Sequence, residues 1–139
     1  MAIRRATADD APVMAGLDRI IFSIPWSELA FKTEFDYEGS RYFIYESEGK
    51  AVGYAGMRVL DDTGEITNIA VHPDYRRRGI GSELVKSLIA EGLRGYTLEV
   101  RESNKAAIAM YESFGFVPEG KRKGYYSDNH EDAVIMWLR

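Results

Sequence analysis

An apolar run from Glu65 to Val71 leads directly into Val71-His72-Pro73-Asp74-Tyr75-Arg76-Arg77-Arg78-Gly79-Ile80-Gly81-Ser82. Beyond it, Leu84, Val85, Leu88 and Ile89 fall on one side of a helical repeat, with Glu83, Lys86 and Glu91 off it. The chain must therefore pass from a strand, through a basic glycine loop, into a helix. Glycine lets such a loop tighten and leaves backbone N–H groups uncovered. The helix start adds unpaired donors and a partial positive charge. A junction of this kind suits a phosphate group.

The spacing narrows which phosphate loop this is. A dinucleotide fingerprint needs G-x-G-x-x-G, and Leu84 stands where its third glycine belongs. Arg101 occupies the region where that fold places its ribose-binding acid. A triphosphate loop needs G-K-[ST], and Gly81-Ser82 carries no lysine. What remains is R-x-x-G-x-G, read as Arg76-Arg77-Arg78-Gly79-Ile80-Gly81. This is similar to the pyrophosphate loop of the GNAT superfamily, the acetyl-CoA-dependent N-acetyltransferases. The plain alternative is a solvated arginine cluster capping a helix. A nucleic-acid role fits less well, because the chain carries a net charge of -4, with 22 acidic against 18 basic residues. A local basic patch on an acidic protein suits a small anionic cofactor.

At 139 residues the chain reads as one domain, 1–139. No apolar run approaches the roughly 20 residues of a membrane span, and the N-terminus shows no apolar signal core, so a cytoplasmic location is expected. Cysteine is absent, which excludes disulfides, thiolate metal sites and a cysteine nucleophile. The two histidines, His72 and His130, have no metal-ligand spacing, so no metal is expected.

Local patterns give the order of elements. Ala2–Arg5 reads as a strand, and Thr7 with Asp10 as a capping box before a helix carrying Val13, Met14, Leu17, Ile20 and Ile21. Pro25 breaks that helix. Ser27 caps a second one, with Trp26 and Phe31 as a hydrophobic staple, running to about Glu38 with Gly39 as its stop. Strands are expected at 41–47, 51–60 and 65–71, joined by short turns as an antiparallel meander. The helix after Gly81 then crosses over to a parallel strand, 96–100. Ser103-Asn104 caps a helix ending at Gly115, followed by strands from Phe116-Val117 and from Ala133 to Trp137, with a polar loop over 121–131. The fold class is mixed α/β (α+β): a mostly antiparallel sheet of about seven strands flanked by about four helices.

On the helix that begins near Asn104, the residues Asn104, Ala107, Ile108 and Tyr111 share one face. Read alone, this is a core face with a cap. The run N-x-x-A-x-x-x-Y-x-x-x-G-F, made by Asn104, Ala107, Tyr111, Gly115 and Phe116, resembles the second half of the GNAT cofactor site. Phe22-Ser23-Ile24-Pro25-Trp26-Ser27, Leu98-Glu99-Val100-Arg101 and Tyr125-Tyr126 followed by Glu131-Asp132-Ala133 resemble the RimI-like branch of protein N-terminal acetyltransferases, which acetylate the N-terminal alanine of a ribosomal protein. Ser127-Asp128-Asn129-His130 is this chain's own loop.

The resemblance implies a GNAT-like fold and direct transfer from acetyl-CoA to a protein α-amino group. It implies Glu99 as general base and Tyr111 as the proton donor to the leaving thiolate. Cofactor contacts would come from Ile69, Ala70 and Val71, from Arg76, Arg77, Arg78, Gly79, Ile80, Gly81 and Ser82, and from Asn104 and Ala107. Phe22, Trp26, Tyr125 and Tyr126 would flank the acceptor. Two other functions remain open at this point: acetylation of a small amine or a lysine side chain, and a non-catalytic acyl-CoA-binding module. Glu99 has a plain reading too, as a surface carboxylate paired with Arg101 or a lysine.

Overall fold

The computed structural model describes residues 2–139. The chain runs β1 (Ala2–Arg5), a 3-10 turn, α1 (Ala11–Ile21), α2 (Glu28–Glu34), β2 (Ser40–Ser47), β3 (Lys50–Leu60) and β4 (Thr63–Val71). It continues through a 3-10 turn at Pro73–Tyr75, α3 (Ile80–Ile89), β5 (Gly95–Arg101), α4 (Lys105–Ser113), β6 (Val117–Arg122) and β7 (Ala133–Leu138). All seven strands form one sheet in the order β1-β2-β3-β4-β5-β7-β6. The β2–β3–β4 meander is antiparallel, and β4 and β5 form the parallel pair that the crossover through α3 requires. The last strand, β7, enters between β5 and β6.

Each face of the sheet is covered by helices. On one face α3 buries Leu84, Val85 and Leu88 against Met57, Leu98 and Met136. Each such side chain contributes about 1.5–3 kcal/mol on burial. On the other face α1 and α2 bury Met14, Leu17 and Phe31 against Tyr42, Ile44 and Tyr54. Among the described residues no helix is long and apolar enough to cross a membrane.

Most expected boundaries lie within two residues of the observed ones. The second helix is the exception. Its start is as expected: the Ser27 side chain accepts the Ala30 N–H at 3.0 Å, and the Trp26 and Phe31 rings lie 5.3 Å apart. Its end is not, because α2 stops at Glu34 rather than near Glu38. Gly39 is not its cap. A Cβ there would sit 2.2 Å from the Val59 carbonyl oxygen, so glycine is needed for close approach to β3.

One irregularity shapes the site. Gly56 pairs with Asn68 and Met57 with Ile66, which leaves Thr67 as an extra residue in β4. The Thr67 hydroxyl donates to the Gly56 carbonyl at 3.2 Å. A β-bulge bends its strand. Here it coincides with the end of β4–β5 pairing at Ile66 and Leu98. From Thr67 to Val71, β4 therefore continues beside an opening in the sheet.

Candidate active site

That opening is the floor of a cleft of about 1290 Å³. One wall is β4 from Glu65 to Val71, the loop after it and the first turn of α3; α4 supplies Asn104, Ala107 and Tyr111. The far end is bounded by residues 21–26 and by Tyr125 to Asp128.

The glycine loop folds as its composition demands. Gly79 is the N-cap of α3 and is left-handed at φ 78°. A Cβ there would meet nothing within 4 Å, so the requirement is conformational rather than spatial. Arg77 shares the left-handed region at φ 63°. Glu83 N–H is the donor to the Gly79 carbonyl. The amides of Ile80, Gly81 and Ser82 precede that bond and project from the helix end. The arginines are not equivalent. Arg77 lines the cleft. Arg76 also lines it, but its Nε donates to the Val71 carbonyl at 3.2 Å and so braces the end of β4. Arg78 does not line the cleft: its guanidinium stacks 5.0 Å over the Tyr75 ring and faces a separate hollow beside α1. The stacking explains why a residue inside the motif turns away from it.

Glu99 stands on β5 with its side chain one-fifth exposed. Its ion-pair partner is Arg122, at 3.5 Å, and not Arg101. The Tyr125 phenol faces Glu99, and that contact, which favours the neutral phenol, pushes the Tyr125 pKa up to about 12. Tyr111 is buried, with its ring 5.7 Å from Phe116. Burial, and then proximity to Tyr126, holds its phenol well above the ordinary value. Burial thus favours the protonated form of Tyr111 over the phenolate. Asn104 caps α4, its Oδ1 accepting the Ala107 N–H at 3.2 Å. Ile108, on the same expected face, packs into the core instead.

The far end is held by motif residues for which no structural role was expected, together with Asp128 from the chain's own loop. Arg101 lies 4.0 Å over the Tyr126 ring and pairs with Asp128 at 2.8 Å and Glu131 at 3.3 Å. Glu131 also accepts the Ser103 N–H at 2.7 Å, and Asp132 accepts the Gly124 N–H at 2.9 Å. The Ser23 hydroxyl donates to Asp128 at 2.8 Å, joining two loops across the mouth. That contact, with Arg101, holds the Asp128 carboxyl below its ordinary range. Beneath the mouth, buried Asp18 accepts the Tyr54 hydroxyl at 2.5 Å and the Trp26 N–H at 3.1 Å. One sequence signal pointed to Asp18: a charged residue in the apolar stripe Met14, Leu17, Ile21. Ser23 and Asp128 offered none.

Backbone donors thus line one wall of the cleft, and titratable side chains line its far end. The family model described as "Acetyltransferase (GNAT) family" matches residues 12–116. The chain belongs to the GNAT acetyltransferase family. This acetyltransferase is similar to the ribosomal protein bS18-alanine N-acetyltransferase of Escherichia coli, 40% identical over 137 residues, covering 93% of this chain and 90% of that one. It is 37% identical over 143 residues to the N-alpha-acetyltransferase RimI of Mycobacterium tuberculosis, covering 98% and 90% of the two chains. The crystal structure of the Escherichia coli ribosomal-protein-S18-alanine N-acetyltransferase superposes with a TM-score of 0.92 at 38% identity, over 99% of this chain and 92% of that one. The acetyltransferase therefore has the GNAT fold, and acetyl-CoA is the donor this family uses.

Proposed function

We propose that this acetyltransferase modifies the N-terminal α-amino group of a polypeptide, with a ribosomal protein beginning in alanine as the favoured acceptor and the cytoplasm as the place of action. The carrying observation is the far end of the cleft, where Glu99 sits among Tyr125, Tyr126 and the 21–26 loop. Similarity along nearly the whole chain to enzymes named for bS18-alanine acetylation supports the same acceptor.

The residues present fit the donor. Backbone amides at the start of α3, with Arg77, suit a pyrophosphate. The β4 edge from Thr67 to Val71 suits a peptide-like pantetheine arm, and Asn104 and Ala107 line its other side. When bound, the donor supplies an acetyl group activated as a thioester. An α-amine has an ordinary pKa of about 7.7–8.0, so a carboxylate can remove its proton near neutral pH. Glu99 takes that role, directly or through one water. Backbone N–H groups between Ile69 and Val71 stabilise negative charge on the acetyl oxygen. Tyr111, whose protonated form burial favours, supplies a proton to the departing sulfur. With no cysteine in the chain, transfer is direct, without a thioester enzyme.

The test uses two peptides of one alanine-initiated sequence, one with a free N-terminus and one blocked there with internal lysines left free. Mass spectrometry after incubation with acetyl-CoA should find acetylation of the first at its α-amine. Efficient acetylation of the blocked peptide would replace this reading with a lysine or small-amine acceptor.

A further inference from the structure

Asp18 and Glu34 are the buried charged residues among those described. Glu34 meets the forked guanidinium of Arg58 at 2.6 and 2.7 Å. No cation stands within ion-pair distance of Asp18 among the described residues; a phenol and a backbone amide satisfy its oxygens. Burial accordingly pushes its carboxyl pKa up. A buried carboxylate without a counter-ion costs the fold, and an apolar side chain of similar size would avoid that cost.

The partners show what Asp18 arranges. Trp26 belongs to the irregular stretch between Phe22, whose N–H closes α1, and Ser27, which caps α2. Within that stretch Pro25 has no N–H to offer, and the Trp26 N–H is held by Asp18. Tyr54 stands on β3 directly opposite Ala70 of β4. Its ring packs edge-on against Phe31 at 5.6 Å, and Phe31 in turn carries the Trp26 ring. Asp18 thus joins the loop at the acceptor end to the strand beside the donor edge.

We propose that Asp18 is a positioning residue for the acceptor: held by Tyr54, it fixes the Trp26 backbone and hence the wall along which a polypeptide N-terminus lies. This rests on the proposed N-terminal acetylation. Asp18 touches neither substrate in this scheme; it acts through the loop.

The experiment compares Asp18→Ala and Asp18→Asn with the unaltered enzyme on two acceptors: an alanine-initiated peptide long enough to reach the loop, and alanine amide, which is not. Asp18→Ala should raise the peptide KM about tenfold with kcat within about threefold, leaving acetyl-CoA affinity and turnover of alanine amide unchanged. Asp18→Asn keeps an acceptor oxygen for the Trp26 N–H and should restore the peptide KM to within about threefold. Trp26 emission, read in a Trp137→Phe background, should shift in Asp18→Ala and return in Asp18→Asn. Should Asp18→Ala fail to fold, the pair Asp18→Leu with Tyr54→Phe removes the acceptor and its buried hydroxyl donor together, leaves only the Trp26 N–H without its partner, and should give the same KM split. An unchanged peptide KM, or equal losses on both acceptors and on acetyl-CoA affinity, would overturn the proposal. If the unaltered enzyme leaves the peptide N-terminus unmodified, the proposed function fails instead. The Trp26 emission then decides alone whether Asp18 holds the loop.

Discussion

The proposed donor wall, from Thr67 through the start of α3, presents backbone: an unpaired strand edge and the amides of a helix start after a left-handed glycine. The proposed acceptor end presents side chains that hold other side chains, with Arg101 over Tyr126, Ser23 on Asp128 and Asp18 beneath Trp26. A backbone site depends on the conformation of a few consecutive residues. A side-chain site depends on partners brought from distant parts of the chain. The first tolerates changes of side chain that keep φ and ψ, and the second tolerates few changes at its hubs.

The largest expected effect is where the two parts meet. Glu99→Gln should lower kcat by roughly 100-fold or more with acetyl-CoA affinity nearly intact, and raising the pH should partly restore it because more amine is already neutral. A matching loss of acetyl-CoA affinity, measured by calorimetry, would place Glu99 in the donor wall instead. Gly79→Val tests the donor wall directly. Valine at φ 78° is strained, so acetyl-CoA affinity should fall about 30-fold and the thermal shift given by acetyl-CoA should shrink. An unchanged shift would remove the helix start from the phosphate site.

Tyr111→Phe should lower kcat about tenfold, and less with a donor whose thiol is more acidic, since that leaving group needs its proton less. Equal defects with both donors would take the proton-donor role away from Tyr111. At the acceptor mouth, Ser23→Ala should raise peptide KM about threefold, and adding it to Asp128→Ala, which also removes the Arg101 partner, should cost nothing further, because the Ser23 contact is then already lost. Fully additive losses would separate the two loops.

The smallest effect is one of pH. Contacts with Ser23 and Arg101 lower the Asp128 carboxyl, and contacts with Ser103 and Arg101 lower that of Glu131. A lowered carboxyl contributes stability that is fully present above its ordinary value and lost as pH falls through the lowered one. Amide NMR shifts of residues 126–131 should therefore move below about pH 4 before those of α3 do. Simultaneous movement would mean that the loop has no titration of its own.

What could be read from the chain follows the same division. The strand–loop–helix at 65–89, the meander, the Ser27 cap with its Trp26–Phe31 staple and the Asn104 cap all depend on neighbours within a few residues, and periodicity exposes them. The motif residues from Ile69 to Ala107 gather in one cleft, with Arg78 the exception, drawn off by Tyr75. The end of α2 at Glu34 was not legible, since Gly39 answers to the Val59 carbonyl across the sheet and not to its own helix.

The sequence by itself determined the local geometry: where helices start, where the backbone turns left-handed and which faces are apolar. Only the tertiary structure decided that β7 lies between β5 and β6, that Glu99 pairs with Arg122 rather than Arg101, and that Ser23 meets Asp128. Local geometry follows from steric and hydrogen-bonding preferences of adjacent residues, which the sequence writes in order. Pairings across the sheet and between loops follow from burial and charge balance over the whole fold, where sequence separation carries no information about distance.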